Sequence, residues 1–310
     1  MIVRLSRVAA LGCSLLAAPG AWAENPRALS SASVSAQPIV VTDDSGHRVR
    51  VGQPALRIVT LAPHATELVY ALGAGDALVG TMEGSDFPQA ARAVPRIGGL
   101  NGASLEAVVA RHPDLVIVWG GGNPPALIDR LRMLGMPVFD SDPASLAQMA
   151  ESLRALGQLT GHAAAGEQAA RAVEQRANEL RRTHRGVKPI PVFYQLWDQP
   201  LMTVGAKQII GALIGQCAGV AVPDIGALKS AVVSREAVLA SAPQLIINGA
   251  GRASTDPLSQ WQRYPWLPAV RHGQLRSMDP DLLQRPGPRL IDGAVQLCAL
   301  IDQARAQDER

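Results

Sequence analysis

The sequence predicts an α/β protein of two lobes joined by one long helix, and three observations carry that prediction. Ser104 to Gly122, SLEAVVARHPDLVIVWGGG, recurs in weaker form from Ser234 to Gly251 as SREAVLASAPQLIINGAG. Short β-branched runs alternate with helix-period runs along nearly the whole chain. Between the two copies, residues 163–184 read AAAGEQAARAVEQRANELRRTH, the longest uninterrupted helical pattern present.

In register, Ser104 matches Ser234, Glu106 matches Glu236, Val108 matches Val238, Pro113 matches Pro243, and Leu115, Ile117 and Gly121 match Leu245, Ile247 and Gly251. Each copy has the same physical content. A serine N-cap and an acid in the first turn favour a short helix, proline follows, and an aliphatic strand ends in glycine. Ligands of open α/β sheets bind beyond the carboxyl ends of strands, so the segments after Val118 and Asn248 are the first places to look for a site.

Taken in order, the chain opens MIVRLSRVAALGCSLLAAPGAWAEN: two arginines, a short apolar run, then Ala21-Trp22-Ala23 as a small-x-small cleavage site. This is the pattern of a secretory signal peptide over 1–23. It is too short for a span of about 20 apolar residues, and Pro19-Gly20 interrupts it. Cys13 leaves with the signal, so the mature chain retains Cys217 and Cys298, an even pair in an exported protein and therefore an expected disulfide. Removing the signal takes away two arginines and no acid, so the formal charge falls from +3 to +1 and gives no electrostatic basis for binding nucleic acid. Residues 24–37 are polar and aperiodic, the composition of a flexible leader.

A hairpin is expected over 38–51 around Asp43-Asp44-Ser45-Gly46, then a strand at Arg57 to Ala62, a helix from Thr66 to Leu72 and a strand at Leu78 to Met82. Residues 83–101, rich in Gly, Pro and Asp, read as a long functional loop. After the first repeat come a helix from Pro125 to Leu134, a strand at Pro137 to Phe139 and a helix from Leu146 to Leu159. The long helix reads as a stiff strut, with Glu167, Arg171, Glu174, Arg181 and Arg182 on a solvated face. These signals divide the chain into a first lobe, 38–160, an interlobe helix, 161–188, and a second lobe, 189–310. The second lobe holds a strand from Pro191 through Trp197, a strand at Met202 to Val204, a helix from Ile209 to Cys217 and the second repeat. A segment from Trp261 to Ala269, a strand at Gln274 to Ser277, an irregular stretch through Arg289 and a terminal helix from Leu290 to Ala304 complete it.

No GxSxG, HExxH, CxxC or phosphate-loop pattern occurs, and the six histidines lack metal-ligand spacing, so neither an enzyme nor a metal site is expected. Gly120 to Gly122 precede Asn123-Pro124-Pro125 rather than the spacing of a dinucleotide turn. Aromatic placement is the remaining signal. Trp119 and Trp197 each stand at a strand end, one per lobe, where a flat indole suits a flat or bulky apolar ligand. Of Trp261 and Trp266, one is expected to pack inside the lobe.

The ordered set RIVTLAPHATELVYALGAGDALVG, SLEAVVARHPDLVIVWGGGN, SREAVLASAPQLII and RPGPRL resembles the periplasmic substrate-binding proteins of metal-chelate ABC importers, in particular their cobalamin-binding branch. That resemblance implies two Rossmann-like lobes on a rigid helical backbone, a cobalamin ligand held between them without a further cofactor, and a monomer that delivers it to a permease dimer from the periplasm. It implies that Glu106 and Glu236 dock on the permease and that Cys217 and Cys298 are bridged. Trp119 stands where this branch has a corrinoid-contacting tryptophan, and Asp281 stands in a loop that reaches the ligand. Gly84, Leu100, Leu196, Met202 and Ser230 occupy positions where the branch carries aromatics, so its cage is rebuilt here, with Trp197 beside Leu196 as a replacement. Haem in the same fold would need His64 or Tyr70 as axial ligand, and a ferric siderophore would need Arg285 and Arg289.

Overall fold

The computed structural model describes residues 37–99, 102–249 and 256–308. The expected signal peptide, nearly all of the leader, Leu100 and Gly251 lie outside them. Two parallel sheets form the frame. In the first, the strands Gly102–Ala103, Arg96–Gly99, Leu78–Met82, Ile58–Thr60, Leu115–Val118 and Val138–Asp140 lie side by side in that order, all parallel except the first. In the second, Gly219–Ala221, Ile190–Gln195, Leu245–Asn248 and Leu275–Ser277 are all parallel.

The strand order reverses between Ile58–Thr60 and Leu115–Val118 in one lobe and between Ile190–Gln195 and Leu245–Asn248 in the other. At such a switch point the loops diverge and leave a crevice. The duplication therefore places both copies of the repeat at equivalent crevices. Its detail is reproduced as well: Ser104 and Ser234 each accept a hydrogen bond at 3.1 Å from the backbone N–H three residues on. The chain then turns through positive φ at His112 and at Ala242, immediately before the matched prolines.

Successive residues of each central strand face opposite layers, as the period of two requires. Leu115 and Ile117 join a core that also holds Val192, Leu245 and Ile247 of the other lobe and Ala170, Val173 and Ala177 of the long helix Ala163–Thr183. Val116 and Val118 face a separate outer core with Leu127, Ile128 and Leu131. Phe193 and Ile246 face the outer core of the second lobe, where Trp261 is fully buried and donates its indole N–H to Gln195 at 2.8 Å. Each such aliphatic side chain contributes on the order of 2 kcal/mol by burial. One inner core thus runs through both lobes.

The long helix packs against Leu146–Leu159 at a glycine pair. A Cβ on Gly157 would meet the Cα of Gly166 at 3.0 Å, and one on Gly166 would meet the Leu153 carbonyl at 2.6 Å, so only glycine allows this approach. Its charged face is solvated, as the sequence suggests, and is also laced by ion pairs. Arg154 of the neighbouring helix reaches Glu167 at 2.7 Å and Glu174 at 2.6 Å, and Arg171 pairs with Glu167. The Cys217–Cys298 disulfide closes 81 positions of chain and ties Ile209–Gln216 to the terminal helix Leu290–Asp308.

Other expectations are corrected. Pro63 sits in the first turn of a helix that spans Pro63–Ala71, earlier than read, because the first turn needs no proline N–H. Residues 83–99 contain the 3-10 turn Gln89–Ala93 and the strand Arg96–Gly99 rather than one loop. The strand read from Pro191 through Trp197 ends at Gln195. Trp197–Asp198 moves into a separate antiparallel ribbon with Leu201–Val204 and Ser230–Val232, elements too short to show a period. The stretch before Arg289 contains a short helix, Pro280–Leu283, capped by Asp279.

The hairpin Ile39–Thr42 and Arg48–Val51 forms as expected, and its turn is anchored to the first lobe. Asp43 accepts from the Asp140 backbone N–H, and Asp44 accepts from Ser152 Oγ at 2.5 Å and from the Asp142 N–H at 2.8 Å. Burial pushes the Asp44 carboxyl up to about 7 despite those two donors. Between its unfolded and folded values Asp44 holds an extra proton in the folded chain, so its own contribution to stability falls as pH rises from about 4 to about 7 and levels above that. In urea unfolding, Asp44→Asn, which is neutral throughout, is expected to gain roughly 2 kcal/mol relative to wild type between about pH 5 and pH 8.

Candidate functional site

A cavity of about 700 Å³ opens at the switch point of the first lobe, lined by Leu61, Ala62 and Pro63 from one strand end, Met82 and Gly84 from the next, and Trp119, Gly122 and Pro124 from the repeat. Backbone staples shape it. Asn123 accepts from the Trp119 N–H at 2.7 Å and donates to the Leu61 carbonyl at 2.9 Å, joining the two diverging loops. The triple glycine now has a cause. The Trp119 ring lies over Gly122 and the Asp140 carboxylate lies against Gly120, so a Cβ at either position would collide. Below the indole, His64 stands edge-on at 6.0 Å.

The second lobe approaches this site through two groups of ion pairs. In the first, Trp119 Nε1 donates to Asp142 Oδ1 at 3.1 Å, while Lys229 of the second lobe reaches Asp142 Oδ2 at 2.5 Å. A narrow recess lies there, walled by Trp119, Asp142 and Pro143 on one side and by Lys229, Gln284 and Pro286 on the other. The second group is more deeply buried. Glu67, whose side chain is 1% exposed, takes both Nε and Nη2 of Arg289 at 2.9 and 2.7 Å. Arg285 spans Glu67 at 3.5 Å, Asp86 at 2.9 Å and Asp281 at 2.9 Å, and the Arg289 guanidinium covers the Phe87 ring at 4.2 Å. The RPGPR motif is thus a rigid loop that presents two arginines to the opposite lobe.

The residues singled out from sequence fall into three places. Trp119 and Gly84 line the same cavity. Leu196, Trp197 and Met202 lie on the antiparallel ribbon of the second lobe, where Leu196 N–H donates to the Met202 carbonyl and Trp197 pairs with Met202. Trp197 is 51% exposed and Ser230, on the same ribbon, is also exposed. Asp281 is half-buried in the arginine network. Leu100 is outside the described residues. Glu106 and Glu236 are both exposed, and each carboxyl is held below its usual range, first by its own backbone N–H and then by the cap serine.

Other candidates find different employment. His64 is buried, donates Nε2 to the Ser141 carbonyl at 3.0 Å, and is pushed down to about 4 by burial, so it is neutral. Tyr70 lies over Gly75. Arg285 and Arg289 are committed to carboxylates and are not the free basic cluster a siderophore would need. Of the tryptophan pair, Trp261 is the packing residue and Trp266 is 65% exposed. Among the described residues no group of three or more His, Cys, Asp or Glu side chains is placed to hold a metal ion. Sequence reasoning missed Glu67, Asp86, Asp142 and Lys229, whose only signal was charge inside otherwise apolar or loop segments.

A profile of the family described as "Periplasmic binding protein" matches residues 58–282. The vitamin B12-binding protein of Vibrio cholerae is 34% identical over 255 residues, covering 82% of this chain and 92% of its own. That of Vibrio parahaemolyticus is 32% identical over 247 residues, 79% of this chain and 89% of its own. Among solved structures, the periplasmic vitamin B12 binding protein BtuF of Vibrio cholerae superposes with a TM-score of 0.74 at 34% identity, covering 81% of this chain and 98% of that one. The periplasmic heme-binding protein RhuT from Roseiflexus sp. RS-1 superposes at 0.69 with 26% identity, covering 80% and 98%.

The buried carboxylate generates a prediction about stability. Glu67→Ala strands Arg289 without its fork partner and is expected to cost about 3 kcal/mol in urea unfolding, as breaking a buried pair does. Arg289→Lys keeps the charge, loses the two-point geometry, and should cost less.

Proposed function

Because this chain belongs to the periplasmic binding protein family, we propose that it is the solute-binding component of an ABC importer that captures a corrinoid, cobalamin, between its lobes. The observation that carries the reading is Trp119, which lines a cavity at the switch point together with glycines and small apolar side chains, Glu83 and Asn123 being its polar lining, where a flat macrocycle would stack. The vitamin B12-binding relatives support the same ligand. We assign Leu196, Trp197 and Met202 to the ligand's second-lobe side and Asp281 to its polar rim. Haem is the weaker reading, since His64 is buried with its outer nitrogen engaged by Ser141.

The carrier is not an enzyme. It is exported by its signal peptide, binds as a monomer, and docks on a permease dimer through Glu106 and Glu236. These two exposed carboxylates begin equivalent helices of the two lobes and stay ionised, which suits a two-fold partner with basic groups. We divide the chain at 38–160, 161–188 and 189–310 on the same plan, since the strands of one sheet precede the long helix in sequence and those of the other follow it.

Two outcomes follow. Trp119→Ala should weaken cyanocobalamin binding about tenfold or more with little loss of stability in urea, and an unaltered Kd would remove Trp119 from the site. Glu106→Arg combined with Glu236→Arg should leave that Kd unchanged while abolishing uptake in a transport assay with the cognate permease. Uptake that survives the double change would overturn the docking assignment.

A further inference from the structure

We propose that Asp142 is the positioning residue of the cleft: one carboxylate oxygen fixes the plane of the Trp119 indole and the other straps the opposite lobe through Lys229. The inference rests on the placement of Trp119 in the ligand site and adds to it the group that orients the ring.

An indole at the rim of a cavity has two side-chain torsions free to turn. It presents a fixed stacking face only if its N–H is held. Here Nε1 donates to Asp142 Oδ1 at 3.1 Å, and the ring is backed by Gly122 and edged by His64. Asp142 is itself fixed, because its backbone N–H donates to Asp44 Oδ2 at 2.8 Å and the hairpin turn bearing Asp44 is bound to Ser152 and Gln148. The second oxygen receives Lys229 Nζ at 2.5 Å, and the Lys229 carbonyl accepts from the Gly205 N–H in the second lobe. One carboxylate therefore holds the ring and receives the other lobe's lysine beside it.

The test uses the mature chain labelled with 15N-tryptophan. The Trp119 indole N–H resonance is assigned by its loss in Trp119→Phe. Asp142→Ala should move that resonance clearly, Asp142→Asn, which keeps an acceptor, should move it much less, and Lys229→Ala should leave it near its original place. Titrated with cyanocobalamin, Asp142→Ala should weaken binding about tenfold and Asp142→Asn about twofold. An indole resonance unmoved in Asp142→Ala overturns the proposal whatever the ligand does, and so does a moved resonance with a Kd equal to wild type. If the wild-type chain fails to bind cyanocobalamin, the corrinoid reading falls, while the resonance still decides whether Asp142 holds the ring.

Discussion

Glu67 sits at 1% side-chain exposure with the Arg289 fork closed on both of its oxygens. A carboxylate so placed costs several kcal/mol to desolvate unless its partner is present and well aligned. The partner comes from the other lobe, 222 positions later in the chain. The lobes must meet at this point, and the rest of the cleft is built around that meeting. Arg285 adds Asp86 and Asp281 to the junction, Phe87 covers the second guanidinium, and the prolines of RPGPR keep the loop stiff. Together with an inner core that runs continuously through both sheets and the long helix, this fixes the separation of the two crevices.

Within that frame the binding surface is made by absence as much as by presence. Glycines at 120 to 122 let the Trp119 ring fold back and let Asp140 close beneath the loop, so the indole stands where a larger residue at either flank would displace it. The cavity beside it is lined mainly by backbone and small apolar side chains. That is the surface expected for a large, flat ligand recognised by stacking and shape, with Glu83 as the charged group of the lining.

Much of this was legible in the sequence because it depends on local chemistry. The repeat could be read from serine caps, first-turn acids and matched prolines, and the same caps and positive-φ turns at His112 and Ala242 appear in both lobes. Cys217 and Cys298 were paired by their even count in an exported chain. What escaped was long-range. Glu67 read as one polar residue on a short helix, and nothing local distinguishes a solvated glutamate from one awaiting an arginine at the far end of the chain. Asp44 read as a turn residue, though it also holds Asp142 through the hairpin. The ribbon bearing Trp197 escaped because strands of two to four residues leave no period to detect. Only the structure could separate the buried Trp261 from the exposed Trp266, which stand five positions apart in one aromatic segment.

The central claim is that this cleft holds a corrinoid, and calorimetric titration of residues 24–310 with cyanocobalamin and, in parallel, with hemin tests it most directly. The account predicts saturable one-to-one binding of cyanocobalamin and none of hemin. Binding of hemin alone, with no heat from cyanocobalamin, would contradict it and move the ligand to the haem class.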